Sequence, residues 1–231
     1  YLMSKVKTKL KKILLSILLT ILLYTTFILG TRGALLGLII CFGVYFFFII
    51  INYKTIKNQL SGLFLIAFSV ILSVTFNLNT DFNDGGDSVI DRASSISIST
   101  NDGSVNQRLR YYKHGLSQFL ETPFLGIGIG NWKFKSISYD KNNIIGYIVP
   151  FHAHNDFIQI LAEQGFFGFL FYVMVFLSTV FIVLKKKLIS KNSPYTFLIG
   201  SFLIFFLDSN LNFPIARPIS QLQFILIIAL I

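Results

Sequence analysis

The densest group of reactive side chains lies in Pro150-Phe-His-Ala-His-Asn-Asp156, which runs directly into Phe157-Ile-Gln-Ile-Leu-Ala-Glu-Gln-Gly-Phe-Phe-Gly168. His152 and His154 could ligate a metal with Asp156 or Glu163, but no third ligand has the spacing that zinc sites use. A neutral imidazole can instead accept a proton from a hydroxyl. A histidine at the start of a helix also serves simply as a cap or a packing residue. Glu163 falls inside the beginning of a long apolar run, where an ionisable group is costly and needs a partner. Gly165 and Gly168 are the kind of residue that lets helices approach closely.

The elements that position this stretch are written in the apolar runs. Apolar residues make up 54% of the chain, charged ones 13%, and phenylalanine alone contributes 26 residues. That is more hydrophobe than a soluble domain of this length can hide. Crossing a hydrocarbon core of ~30 Å takes roughly 20 apolar residues. Runs at about 13–30, 33–51, 60–78, 157–184 and 194–213 qualify, and another begins near 219. Continuous runs of this kind predict an all-α, polytopic transmembrane bundle and not a barrel, whose strands alternate over about ten residues. The fourth run is long, about 42 Å as a straight helix, so it is expected to start above the membrane surface or to tilt. Both chain ends read as cuts within a longer protein, so the sequence is expected to be a piece of one. Cys41, alone in an apolar run, has no internal partner for a disulfide.

Charge gives the orientation. Lys5, Lys7, Lys9, Lys11 and Lys12 precede the first run, Lys54 and Lys57 follow the second, and Lys185, Lys186, Lys187 and Lys191 follow the fourth, with no acidic residue among them. These segments are therefore expected on the cytoplasmic side, and strict alternation across the runs agrees. The net charge of +10 is spread over these flanks and forms no single basic face of the kind nucleic acid requires. The predicted organisation is three spans in 1–78, one large periplasmic loop in 79–156, and further spans in 157–231. All five arginines, Arg32, Arg92, Arg108, Arg110 and Arg217, then fall on the outer side. Arginine offers a planar fork that pairs bidentately with phosphate or carboxylate. At span ends, as for Arg32 and Arg217, snorkelling explains it equally well.

Within the loop, the Asp-, Asn-, Ser- and Gly-rich stretch from Thr80 to Ser104 reads as solvated turns, with no EF-hand ligand pattern. From Asn106 to Glu121 apolar residues at 109, 112, 116, 119 and 120 predict an amphipathic helix on the membrane surface, stopped by Pro123. Arg108 and Tyr112 share one of its faces. Pro123-Phe-Leu-Gly-Ile-Gly-Ile-Gly-Asn131 has alternating glycines whose amides could cradle a phosphate. Their spacing is not that of a dinucleotide fingerprint, and a tight turn is the simpler reading.

Taken in order, these segments resemble the O-antigen ligase and O-antigen polymerase superfamily. Thr31-Arg-Gly-Ala-Leu is similar to that family's arginine-bearing opening of a span. Arg108-Leu-Arg-Tyr-Tyr with Glu121-Thr-Pro-Phe-Leu-Gly-Ile-Gly-Ile-Gly-Asn131 is similar to its loop motif, with Tyr112 where tryptophan is commoner. His154-Asn-Asp-Phe-Ile-Gln-Ile-Leu-Ala-Glu-Gln-Gly-Phe-Phe-Gly168 resembles its histidine signature most specifically, and Asn212-Phe-Pro with Arg217 resembles a short outer loop. The resemblance implies a membrane glycosyltransferase of the bacterial inner membrane, working at the periplasmic face without a metal or other cofactor. It would move a glycan from an undecaprenyl-diphosphate carrier to a hydroxyl of lipid A–core, of another lipid-linked repeat, or of a protein. Arg32 and Arg108 would neutralise the diphosphate, with Arg217 a further contact and Arg110 an alternative to Arg108. His154 would orient or deprotonate the acceptor hydroxyl. Asn155 and Tyr112 would line the substrate site, and Glu163 would hold His154 or an arginine. A lipid-glycan flippase or transporter would also need arginines facing an anionic cargo, but such sites usually lie near the midplane between internal repeats. A scaffold would explain the spans and leave the segregation of arginine from lysine without a reason.

Overall fold

A computed structural model describes residues 8–29, 32–51, 56–78, 103–144, 149–186, 188 and 195–231. The expected solvated loop before Gly103, with Arg92, lies outside the described residues, as do Lys5, Lys7, Lys54, Lys187 and Lys191. All the regular elements among the described residues are helical, and the chain divides into two compact units.

The first unit contains α1 (Lys9–Leu29), α2 (Arg32–Ile51) and α3 (Ile56–Leu78). Its principal packing is α1 on α3, along a seam of small hydroxyl residues. Ser16 Oγ and Ser69 Oγ lie 3.2 Å apart, and Ser73 Oγ donates to the Thr20 carbonyl at 3.0 Å. Each pair is separated by 53 residues, and a constant difference in residue number means that the two helices run parallel. Two helices running the same way, with a third between them in sequence, is the arrangement that strict alternation requires. Small side chains let such backbones approach, and a hydroxyl bonded across or along the helices stays satisfied. Leu10, Ile13, Leu14, Ile17 and Leu18 of α1 are exposed, so the apolar surface that drives α1 out of water is not covered by this unit.

The second unit contains α4 (Gly103–Glu121), α5 (Trp132–Asp140), α6 (Asp156–Lys185), α7 (Tyr195–Leu211), a 3-10 turn (Pro214–Ala216) and α8 (Pro218–Leu230). Phe176 of α6, Phe202 and Phe205 of α7 and Phe224 of α8 form one aromatic core. The Phe205 and Phe224 rings stack at 4.0 Å. A second, smaller core joins Tyr111, Trp132, Ala153 and Ala162, with Ile158 packed against it. It fixes α4, α5 and the histidine segment onto the first part of α6.

Lys9–Ile28 and Asp156–Lys185 are long and apolar enough to cross a membrane; Gly33–Phe47, Phe64–Phe76, Tyr195–Leu211 and Pro218–Leu230 are shorter apolar helices. The long fourth run has a physical explanation other than tilt. Gly165 breaks α6 with φ 65° and ψ −161°, a backbone region essentially restricted to glycine. The portion after the break, 166–185, is about 30 Å long at 1.5 Å per residue, which by itself matches a hydrocarbon core. The amphipathic helix begins at Gly103, a little earlier than its apolar spacing predicts, and α5 is an element that the sequence pattern did not announce.

Candidate active site

The histidine segment is held by its neighbours on both sides. Asn155 caps α6: its Oδ1 accepts from the Ile158 amide at 3.1 Å, satisfying one of the free N–H groups of the first turn. Its Nδ2 donates to the Asn210 carbonyl at 3.2 Å, near the C-terminal end of α7. Tyr112 Oη lies 3.1 Å from the His154 carbonyl and 3.2 Å from the same Asn210 carbonyl. Asn155 and Tyr112 therefore join α4, α6 and α7 around His154. His154 has φ 56°, a left-handed conformation that costs a non-glycine residue about 1–3 kcal/mol and persists only where the surroundings enforce it. The Ala153 amide just before it donates to Gln159 Oε1 at 3.1 Å.

The Phe213 ring, part of the Asn212-Phe-Pro segment to which the sequence attaches no role, lies among the reactive side chains. His152 stacks on it with ring centroids 4.1 Å apart, His154 meets it edge-on at 5.1 Å, and the Arg217 guanidinium lies 4.5 Å from its centroid. Tyr111 stacks against His154 at 6.4 Å. Burial lowers the His154 pKa from its usual 6.5, and the positive charges of Arg108, His152 and Arg217 lower it further. Burial also lowers that of His152, against the opposing pull of a Gln159 hydrogen bond and the Glu163 carboxylate. Both rings are thus neutral near pH 7. The Nδ1 atoms of His152 and His154 are buried and have no hydrogen-bond partner among the described residues.

The two loop arginines separate cleanly. At about 100° per residue, positions two apart on a helix face opposite ways. Arg110 turns toward α5, where its Nε lies 2.6 Å from Asp140 Oδ1 and a terminal nitrogen donates to Oδ2 at 3.2 Å. Asp140 is buried, so this guanidinium neutralises an internal carboxylate. Arg108 shares the face of Tyr111 and Tyr112, close enough to His154 and Tyr112 to shift both, and has no ion-pair partner among the described residues. Arg217 is exposed over Phe213 and likewise has no carboxylate partner there. Arg108, His154 and Arg217 thus form one electropositive cluster, with Arg110 committed elsewhere.

Glu163 is buried, and its Oε1 accepts from the Trp132 amide at 3.0 Å. Its hydrogen bond therefore anchors the start of α5, not an imidazole or a guanidinium. The glycine segment before α5 is a turn whose amides point inward. Ile127 and Gly128 donate to the Ala162 and Glu163 carbonyls at 3.2 and 2.7 Å, and Gly126 donates to Thr122 at 3.1 Å. These three amides are already bonded within the protein. Gly126 (φ 66°) and Gly165 are pressed together: a Cβ on Gly165 would collide with the Phe124 carbonyl group and lie 2.7 Å from the Gly126 nitrogen. The backbone amide of Phe166, freed by the break in α6, donates to the Pro123 carbonyl at 2.7 Å. Arg32 is the first residue of α2 in the first unit; its side chain lies outside the described residues. Among the described residues no three His, Cys, Asp or Glu side chains converge as a metal-ligand set.

The model of the O-antigen ligase family matches residues 17–173, which takes in α4, the glycine turn and the histidine segment. No curated protein and no solved structure matches the chain.

Proposed function

Because the chain belongs to the O-antigen ligase family, we propose that its glycosyl transfer runs from a lipid diphosphate to a hydroxyl acceptor at the Arg108–His154–Arg217 cluster. Membership carries membrane glycosyl transfer of the ligase or polymerase type, with a lipid-linked glycan and an acceptor as substrates. The observation behind the assignment of roles is the pairing of neutral imidazoles with guanidinium groups that have no carboxylate partner among the described residues, around the strained His154 backbone.

In the proposed reaction the acceptor oxygen attacks the anomeric carbon of the donor glycan. The bond from that carbon to the diphosphate oxygen breaks, and its electron pair leaves with the lipid diphosphate. His154 takes the hydroxyl proton, for which a neutral ring is required. Arg108 and Arg217 stabilise the charge that grows on the leaving diphosphate. Asn155, Tyr112 and Glu163 act as supports: they hold the histidine segment, α4 and α5 in register. The donor reading is undecaprenyl diphosphate. Lipid A–core is the leading acceptor, and a second lipid-linked repeat or a protein hydroxyl are the alternatives. The topology that accompanies this reading is a multi-pass inner-membrane protein with 79–156 in the periplasm. The parallel pairing of α1 with α3 and the lysine flanks support it.

Two consequences test the roles. Transfer should fall as pH drops through the lowered His154 value, below the usual 6.5, and stay level just above it, because only the neutral ring accepts a proton. A rate that rises on acidification would oppose proton abstraction by His154. The second test compares the loop arginines. Arg108→Lys keeps the charge but loses the fork, and should lower kcat/KM for the lipid-diphosphate donor about tenfold. Arg110→Gln should instead lower thermal stability, by about 1–2 kcal/mol once the partial exposure of the arginine is allowed for, with kcat/KM per folded molecule retained. The reverse pattern would exchange the two assignments.

A further inference from the structure

We propose that Phe213 is a positioning residue, whose ring sets His152, His154 and Arg217 in one cluster through a stacked, an edge-on and a cation–π contact. This rests on the proposed glycosyl transfer and adds a residue to it. The ring is stacked on His152 at 4.1 Å, carries the Arg217 guanidinium at 4.5 Å from its centroid, and meets His154 at 77°. Its effect is on the side chains around it.

The ring is itself fixed. Phe213 precedes the buried Pro214, and the 3-10 turn that follows closes with the Arg217 amide donating to the Pro214 carbonyl at 3.0 Å. Asp156, two residues after His154, is buried and accepts from the Ile215 amide at 3.1 Å. Tyr172 Oη, between Asp156 Oδ2 at 3.4 Å and Ser209 Oγ at 3.3 Å, completes this anchor. The histidine segment and the arginine-bearing turn are thus tied at the backbone through Asp156 and at the side chains through Phe213.

Arg217 gains most from this. An exposed arginine carries large rotamer freedom, and contact with an aromatic ring restricts it. His154 gains an apolar wall on one edge, which favours the neutral ring. Loss of the ring should therefore weaken donor binding through Arg217 and slow the chemical step through His154.

The test uses the full-length protein in lipid, with a lipid-diphosphate glycan as donor, comparing Phe213→Leu and Phe213→Tyr. Leucine keeps apolar bulk and loses the π face. It should raise the donor KM about two- to fivefold, the size of a lost cation–π contact at an exposed site, and lower kcat several-fold. Tyrosine should restore both. A Phe213→Leu enzyme with unchanged donor KM overturns the proposal, including where kcat falls alone, since fewer folded molecules would produce that. Failure of Phe213→Tyr to restore donor KM also overturns it. Absence of transfer by the unsubstituted protein would instead overturn the underlying functional reading.

Discussion

His154→Ala should leave the protein inserted and folded while lowering glycan transfer by roughly 10²–10⁴-fold, the usual contribution of a positioned general base. The ring lies between Phe213 and Tyr111, but the fold does not depend on it for its main connections. Those connections are made by the His154 carbonyl and by Asn155, and all of them survive truncation at Cβ. Alanine at φ 56° adds a modest strain that lower thermal stability would reveal separately. His154→Gln offers a useful contrast, since it can orient a hydroxyl but cannot take its proton at neutral pH. If orientation is the whole contribution, glutamine should recover much of the rate; with proton transfer it should stay near the alanine level. Normal surface polysaccharide in cells carrying His154→Ala at ordinary protein levels would remove His154 from the mechanism.

The second large effect concerns Gly165. In an uninterrupted helix, replacing glycine by alanine stabilises by about 0.5–1 kcal/mol. Here the sign should invert. Alanine would be forced into a backbone region essentially restricted to glycine, at a cost of about 1–3 kcal/mol. Its Cβ would also strike the Phe124 carbonyl group and approach the Gly126 nitrogen. Those atoms belong to backbone already bonded to α6, so no side chain can rotate away, and overpacking of this kind costs about 1–3 kcal/mol more. Gly165→Ala should thus destabilise by roughly 2–6 kcal/mol, visible as a lower Tm or loss of the protein from the membrane. The displaced segment 156–164 would take the histidine segment with it. A Tm that rises would mean that α6 runs straight through Gly165.

How far the site could be read from sequence follows from the range of each interaction. The amphipathic spacing of 109, 112, 116, 119 and 120 announced α4, and Pro123 its end, because both are local rules. Arg108 and Arg110 remained alternatives, because the choice depends on Asp140, which is 30 residues away. Nothing near Arg110 in sequence indicates that partner. Glu163 was legible as a buried acid in need of a donor, but its donor is a backbone amide, and backbone amides carry no sequence signal. The break at Gly165 is hidden inside a continuous apolar run; only the excessive length of that run pointed to it. Helix α5 has neither a strong apolar stripe nor a side-chain cap, and it is held through Trp132 and Glu163 instead. Phe213 was visible only as part of the Asn212-Phe-Pro segment, with no role of its own. One phenylalanine among 26 acquires a role only when the fold places three reactive side chains around it.

The most direct measurement reconstitutes the full-length protein in bilayers with an undecaprenyl-diphosphate-linked glycan. Lipid A–core, donor alone, or a hydroxyl-bearing protein is then offered in separate reactions. Release of undecaprenyl diphosphate should match the glycan gained by at least one acceptor, with transfer to lipid A–core marking a ligase and growth on donor alone a polymerase. Donor that binds or crosses the bilayer without release of the lipid diphosphate in any reaction would contradict glycosyl transfer and favour transport.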